Sequence, residues 1–208
     1  MRREFHVRFC EGGGVRAPSA TRLVMAFESE ADARKMLADL TERLAKFGLA
    51  LHEDKTRLIL FGKFAAERRR RLGQGRPETF DFLGFTHYCA TSRDGRFIVK
   101  RKTARKRVIR KLKELRTEAK RRMHSPIAKQ HEWLSAVLRG HFAYYGLPSN
   151  MRSMVSFAYE VKRLWLRALA RRSQRGMTWE RFNRLMKAYP LPMPTITRSR
   201  AKPALAMG

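Results

Sequence analysis

Carboxylates are scarce in this chain of 208 residues, cysteines number two, and no two aspartates stand side by side. Each shortage excludes something. Cys10 and Cys89 form no Cys-x-x-Cys pair and have no histidine cluster around them, so neither a disulfide framework nor a zinc site is indicated. Both read as plain thiols of a reducing cytosol. No uninterrupted apolar run approaches the ~20 residues that span a bilayer, and the start lacks the apolar core of a signal peptide. The expected location is the cytoplasm, associated with a nucleoid or ribonucleoprotein, with no membrane partner.

What the chain has in excess is positive charge. Forty-seven Lys and Arg against eighteen Asp and Glu leave a formal +29, more than a protein meeting only small or neutral partners requires. A polyanion is the expected partner. Residues 1–99 hold 19 basic and 13 acidic side chains and residues 100–208 hold 28 and 5, so the first half is +6 and the second +23. That step predicts a mixed module joined near Lys100 to one that grips nucleic acid. With 43% apolar residues, the chain can supply a core for either.

Residues 1–22, with Gly12-Gly13-Gly14 and Pro18, show no periodicity and are expected to be an irregular arm. Leu23 to Phe27 reads as a strand. Ser29, with Asp32 three residues on, predicts a helix cap. Ala33, Met36, Leu37, Leu40, Leu44 and Phe47 predict one buried helical face ending at Gly48. Leu49 to Leu51 and Arg57 to Phe61 read as further strands, with a polar turn between them. Glu67 to Pro77, five arginines around two glycines, reads as an exposed loop, and Phe80 to Cys89 with Arg96 to Arg101 as a β-hairpin around Ser92 to Gly95.

From Thr103 the pattern turns helical. Val108, Leu112, Leu115, Ala119 and Met123 make a narrow apolar stripe, while Arg105, Lys106, Arg107, Arg110, Lys111, Lys113, Arg116 and Lys120 fill the remaining circumference. Ser125-Pro126 predicts a capped helix stopping at Gly140, followed by an aromatic segment from His141 to Leu147. Pro148-Ser149-Asn150 restarts a helix with Met154, Val155, Ala158, Val161, Trp165, Ala168 and Leu169 inside and Arg171 and Arg172 at its end. Thr178 caps a last short helix, and residues 191–208 read as a basic tail.

Phe47-Gly48-Leu49, Lys55-Thr56 and Phe80-Asp81-Phe82-Leu83-Gly84-Phe85, in that order, resemble the end of the palm of a group II intron reverse transcriptase. Arg139-Gly140-His141-Phe142-Ala143-Tyr144-Tyr145 resembles the Gly-x-x-x-Tyr-Tyr segment of the maturase region, domain X, that follows it. The resemblance implies an α+β fold: a truncated palm of a helix, short antiparallel strands and a β-hairpin over 23–101, then an all-α thumb and maturase domain over 102–190. It implies that Lys55 lies near the nucleotide triphosphate and that Phe82, Leu83 and Gly84 form the primer grip. It further implies that the helical domain binds group II intron RNA or other structured RNA, with DNA as a further candidate, to assist splicing and mobility.

The RNA-binding candidates are Arg105, Lys106, Arg110, Lys113, Arg139, Tyr144, Tyr145, Arg171 and Arg172. Cations neutralise phosphates, and flat tyrosine faces suit unpaired bases, although Tyr144 and Tyr145 could equally pack a helix junction. His131 and His141 lack an acid/base partner and read as core or surface residues. The family's Tyr-x-Asp-Asp turn, which holds Mg²⁺ in the complete enzyme, belongs just before Leu23, where Ala20-Thr21-Arg22 stands. No metal or cofactor is therefore expected on this chain, nor polymerisation by it alone; a complementing chain would have to bring fingers and aspartates. A general cationic nucleic-acid-binding protein, or an inactive gene remnant, is the alternative.

Overall fold

The computed structural model describes residues 6–11, 22–52, 56–172 and 176–197. The fold is mixed α+β and divides into two units, Met1–Lys100 and Arg101–Gly208.

The first unit begins with β1 (His6–Glu11), β2 (Arg22–Phe27), α1 (Glu30–Ala45) and β3 (Arg57–Leu60). The strands form an antiparallel sheet in the order β2-β1-β3, with Val7 opposite Ala26 on one side and Ile59 on the other. The expected irregular arm thus supplies the central strand. His6-Val7-Arg8-Phe9 alternates polar and apolar residues as a strand should, a short signal outweighed in the sequence by the glycine run behind it.

Helix α1 packs on β1 and β2. Ser29 caps it as expected: its Oγ accepts from the Asp32 amide at 3.1 Å and donates to the Asp32 carboxylate at 2.7 Å. Ala33 is buried and Met36, Leu37, Leu40 and Leu44 are half-buried, but Phe47, expected on that face, is 71% exposed. The helix ends at Ala45 and Gly48, at φ +68°, turns the chain in a conformation that favours glycine, so the periodicity stops before Phe47. Of the expected strand at Leu49 to Leu51, only Leu51 makes a bridge.

The arginine-rich segment is not all loop. Its first half is α2 (Ala65–Arg71), anchored by buried Ala65 and laced by Glu67–Arg71 at helical i,i+4 spacing. The expected long strand from Phe80 is broken into β4 (Phe80–Phe82) and β5 (Phe85–Thr91), which join β6 (Phe97–Thr103) in the order β4-β5-β6. Leu83 at φ +47° and Gly84 at φ +81° make the two-residue reversal. Ile59 and Phe61 are the buried centre of this unit, with Val24, Phe80 and Cys89 against them.

The second unit is α3 (Arg105–Arg121), α4 (Ile127–Tyr145), α5 (Met151–Arg172) and α6 (Trp179–Ala188). Its core is continuous: Leu115 and Ala119 from α3, Leu134, Leu138 and Phe142 from α4, Met154 to Leu169 from α5, and Phe182 from α6. Gly140 does not stop α4, which runs on to Tyr145. Glycine inside a helix costs about 1 kcal/mol, and burying Phe142 one half-turn later offsets it by about 1.5–3 kcal/mol. Val155, expected inside, is 51% exposed; Phe157, three residues after Met154, takes the inward position.

Two buried amides tie the helices together. Asn150 accepts from the Thr103 amide at 2.8 Å and donates to Thr103 Oγ1 and the Tyr145 carbonyl, each at 2.9 Å, which fixes where α5 starts. Gln130 donates to the Ser125 carbonyl at 2.8 Å and accepts from Trp165 Nε1 at 3.0 Å. Ser125 thus serves through its carbonyl; its side chain makes no cap, and Pro126 occupies that position. Beyond α6, residues 190–197 follow α4: the Pro190 carbonyl lies 2.9 Å from His131 Nε2, and the Thr197 amide donates to the Gly146 carbonyl at 3.1 Å. The seven steps from residue 190 to 197 extend ~23 Å and the fifteen from 131 to 146 rise ~22 Å, so the segment matches the helix in length.

Candidate nucleic-acid interface

Helix α3 owes its place to a stripe one to two residues wide. Leu115 and Ala119 are buried and Val108 and Leu112 partly so, while Arg105, Lys106, Arg107, Arg110, Lys111, Lys113, Arg116 and Lys120 are all exposed. At 100° per residue, Arg107, Arg110 and Lys111 fall on one flank of that stripe, toward α4, and Arg116 and Lys120 on the other, toward α5.

On the α4 flank lies a groove of about 400 Å³. Arg107, Arg110 and Lys111 face His141, Tyr144 and Tyr145 across it. Tyr144 is 47% exposed and meets Tyr145 edge-on at 4.8 Å. Tyr145 is half-buried against the core, and burial pushes its phenol pKa up. The two tyrosines therefore divide the roles open to them in sequence: Tyr145 packs the junction and Tyr144 is left half-exposed. His141 stacks on Phe157 with ring centroids 3.8 Å apart and planes within 13°. Its Nε2 is buried with no hydrogen-bond partner among the described residues. Burial, and secondarily the Lys111 ammonium, lower its pKa to about 4, so it is neutral at pH 7.

The predicted RNA-binding residues do not form one cluster. Arg110 and the tyrosines share the α3/α4 groove; Arg171 lines a second groove between α3 and α5, and Arg105 a shallower hollow along the same helix pair. Lys106, Lys113 and Arg139 are exposed and line neither groove. Arg172 donates to the Ser125 carbonyl at 3.1 Å. In the sequence, Arg107, Lys111, Arg116 and Lys120 stand out only as circumference, and Arg167 does not stand out at all. The i,i+4 spacing along α3 is the available signal, but which neighbouring helix each cation faces is not encoded in it. His131 Nε2 lies 2.9 Å from the Pro190 carbonyl and 3.2 Å from Ser135 Oγ, and His141 is held against Phe157.

In the first unit, Lys55 lies outside the described residues. Neighbouring Thr56 has a buried hydroxyl with no hydrogen-bond partner among the described residues. Phe82, Leu83 and Gly84 form the β4–β5 tip, where Leu83 is 63% exposed. Its left-handed backbone costs roughly 1–2 kcal/mol for a non-glycine residue. Asp81 accepts from Thr86 Oγ1 below the tip.

Neither protein-family models, curated proteins nor solved structures match the chain. Function must be argued from the side chains. Among the described residues no three His, Cys, Asp or Glu side chains converge as metal ligands, and no helix is long and apolar enough to cross a membrane. Three described glutamates of the first unit meet arginine: Glu30 meets Arg34 and Arg68, Glu67 meets Arg71, and Glu78 meets Arg57 and Arg69.

Proposed function

We propose that the chain is the C-terminal part of a reverse transcriptase/maturase of the group II intron type, a palm end joined to a thumb and maturase domain, that binds structured intron RNA to assist splicing and mobility. The observation that carries this reading is the α3/α4 groove, where three cations face a half-exposed tyrosine. Phosphates meet Arg107, Arg110 and Lys111, and an unstacked base from a loop or bulge meets Tyr144. Duplex DNA offers phosphates but no open base face, so this pairing favours folded RNA. The β4–β5 tip, with an exposed apolar residue in a strained conformation, supports assigning Phe82 to Gly84 as a primer-grip turn. Without adjacent aspartates, polymerisation requires a second chain that supplies the Mg²⁺ ligands.

The test is competition binding of the full chain to a structured intron RNA against duplex DNA of equal length, between 50 and 200 mM salt. RNA preference should persist across the series. Tyr144→Ala should weaken RNA binding by about tenfold, in line with the ~1–3 kcal/mol of a stacked base, and leave duplex DNA nearly unchanged. Equal displacement by both competitors, or equal losses with Tyr144→Ala, would instead identify a general cationic nucleic-acid binder.

A further inference from the structure

Between α3 and α5 lies a groove of about 360 Å³ whose rim carries Arg116 and Lys120 from α3 and Arg167 and Arg171 from α5. Leu112, Ala119 and Leu164 give it an apolar floor, and no aromatic side chain lines it. The acid that lines it, Glu160, is bonded to Arg163 at 3.0 Å. None of the four rim cations makes an ion pair among the described residues. The α3/α4 groove differs on both counts: Glu114 lies 3.4 Å from Lys111 and 3.7 Å from Arg110, partly neutralising them, and its wall is aromatic.

Four like charges around one cleft repel each other, and the repulsion is relieved when an anion enters. A single phosphate would need one or two of these cations. Arg116 and Lys120, and Arg167 and Arg171, are each four residues apart on their own helices, so each pair spans about 6 Å along its helix. The charge is therefore laid out as two short rows along the groove, suited to successive phosphates of a chain. The rim carries no aromatic platform and no amide, so the contacts it is laid out for are those of cations with phosphate oxygens.

We infer that the α3/α5 groove is a second nucleic-acid site that holds a phosphodiester backbone without regard to base identity, while the α3/α4 groove reads an unpaired base. This rests on the reading of the chain as a nucleic-acid binder. The division of labour makes α3 a ridge with an indiscriminate grip on one flank and a selective one on the other.

Binding of the full chain to a hairpin RNA, an unstructured oligouridylate and duplex DNA, each over a salt series, tests it. Arg116→Gln with Arg167→Gln should lower the salt slope by about 0.7–0.9 for each phosphate no longer neutralised and weaken all three ligands to a similar degree, on the order of tenfold. Arg181→Gln with Lys187→Gln, removing two exposed cations of α6 outside both grooves, should leave the slope nearly unchanged. All four positions are on the surface, so the fold should survive, as circular dichroism would verify. An unchanged slope in the groove variant, or an equal drop in the α6 variant, would overturn the backbone site even if RNA preference persisted. Loss of RNA preference with the groove-specific drop intact would overturn the maturase reading and leave this site standing.

Discussion

The two units treat their arginines differently. In the first, Arg34, Arg57, Arg68, Arg69, Arg71 and Arg96 each meet a carboxylate. In the second, with 5 acids among 28 bases over residues 100–208, most cations must go without one. The cores differ in the same sense. Among the described residues, Ile59 and Phe61 are the first unit's buried cluster, whereas the helical unit joins side chains from all four helices around Trp165, Phe157 and Phe182. Crowded positive charge destabilises a compact state, and extensive apolar burial is what can offset it. The unit best able to tolerate uncompensated charge is the one that carries it.

The largest test of that contrast truncates both cores. Trp165 is 1% exposed, hydrogen-bonded to Gln130 and edge-on to Phe182 at 5.7 Å. Trp165→Ala should cost about 3–5 kcal/mol, both as cavity and by stranding the Gln130 carbonyl. Ile59→Ala, with fewer neighbours among the described residues, should fall near the lower end for such truncations, about 2 kcal/mol. Native-state hydrogen exchange would report each loss on the amides of the unit that bears the residue. A larger loss for Ile59→Ala would break the comparison.

How much of this was legible in sequence follows the same division. In the helical unit, long apolar stripes marked the helices, and Pro148-Ser149-Asn150 marked the start of α5, because a repeating pattern summed over many residues outweighs single exceptions. Gly140 misled because a lone breaker cannot show that Phe142 beyond it is buried. In the first unit the elements are short, so a neighbour's composition hid β1 and α2, and Leu83 gave no hint of a left-handed reversal. For the site, cation-rich circumference was visible on α3, but the sorting of Arg107 and Lys111 from Arg116 and Lys120 depends on which helix lies on each flank. Asn150 stood out only as part of a helix start and Gln130 not at all; tertiary packing is what makes them buried hubs.

A smaller effect separates the units by pH. The unfolded chain protonates His141 near its ordinary pKa of 6.5, while the folded chain does not until about 4. Between those values the unfolded state binds the extra proton, so stability is full above about 6.5 and falls as the pH drops toward 4. Because the ring is partly exposed, the loss is discounted to on the order of 1–2 kcal/mol. His141→Phe keeps the stack on Phe157 and should remove this component from a series of urea midpoints between pH 7 and 4.5. An identical acid slope in both proteins would place the sensitivity elsewhere.

The smallest effect concerns how helices begin. Helix α1 buries only Ala33 fully, and its Ser29 cap satisfies the Asp32 amide of the first turn. Helices α3 and α4 have Ala104 and Pro126 at that position and no side-chain cap, yet they sit in the larger core. If local signals hold the first unit where packing holds the second, Ser29→Ala should cost about 1 kcal/mol. Ser125→Ala, which leaves intact the carbonyl that Gln130 and Arg172 use, should stay within ~0.5 kcal/mol. Urea midpoints of the two variants decide it: comparable losses would mean that Ser125 contributes through its hydroxyl after all, and that α4 depends on its first turn as much as α1 does.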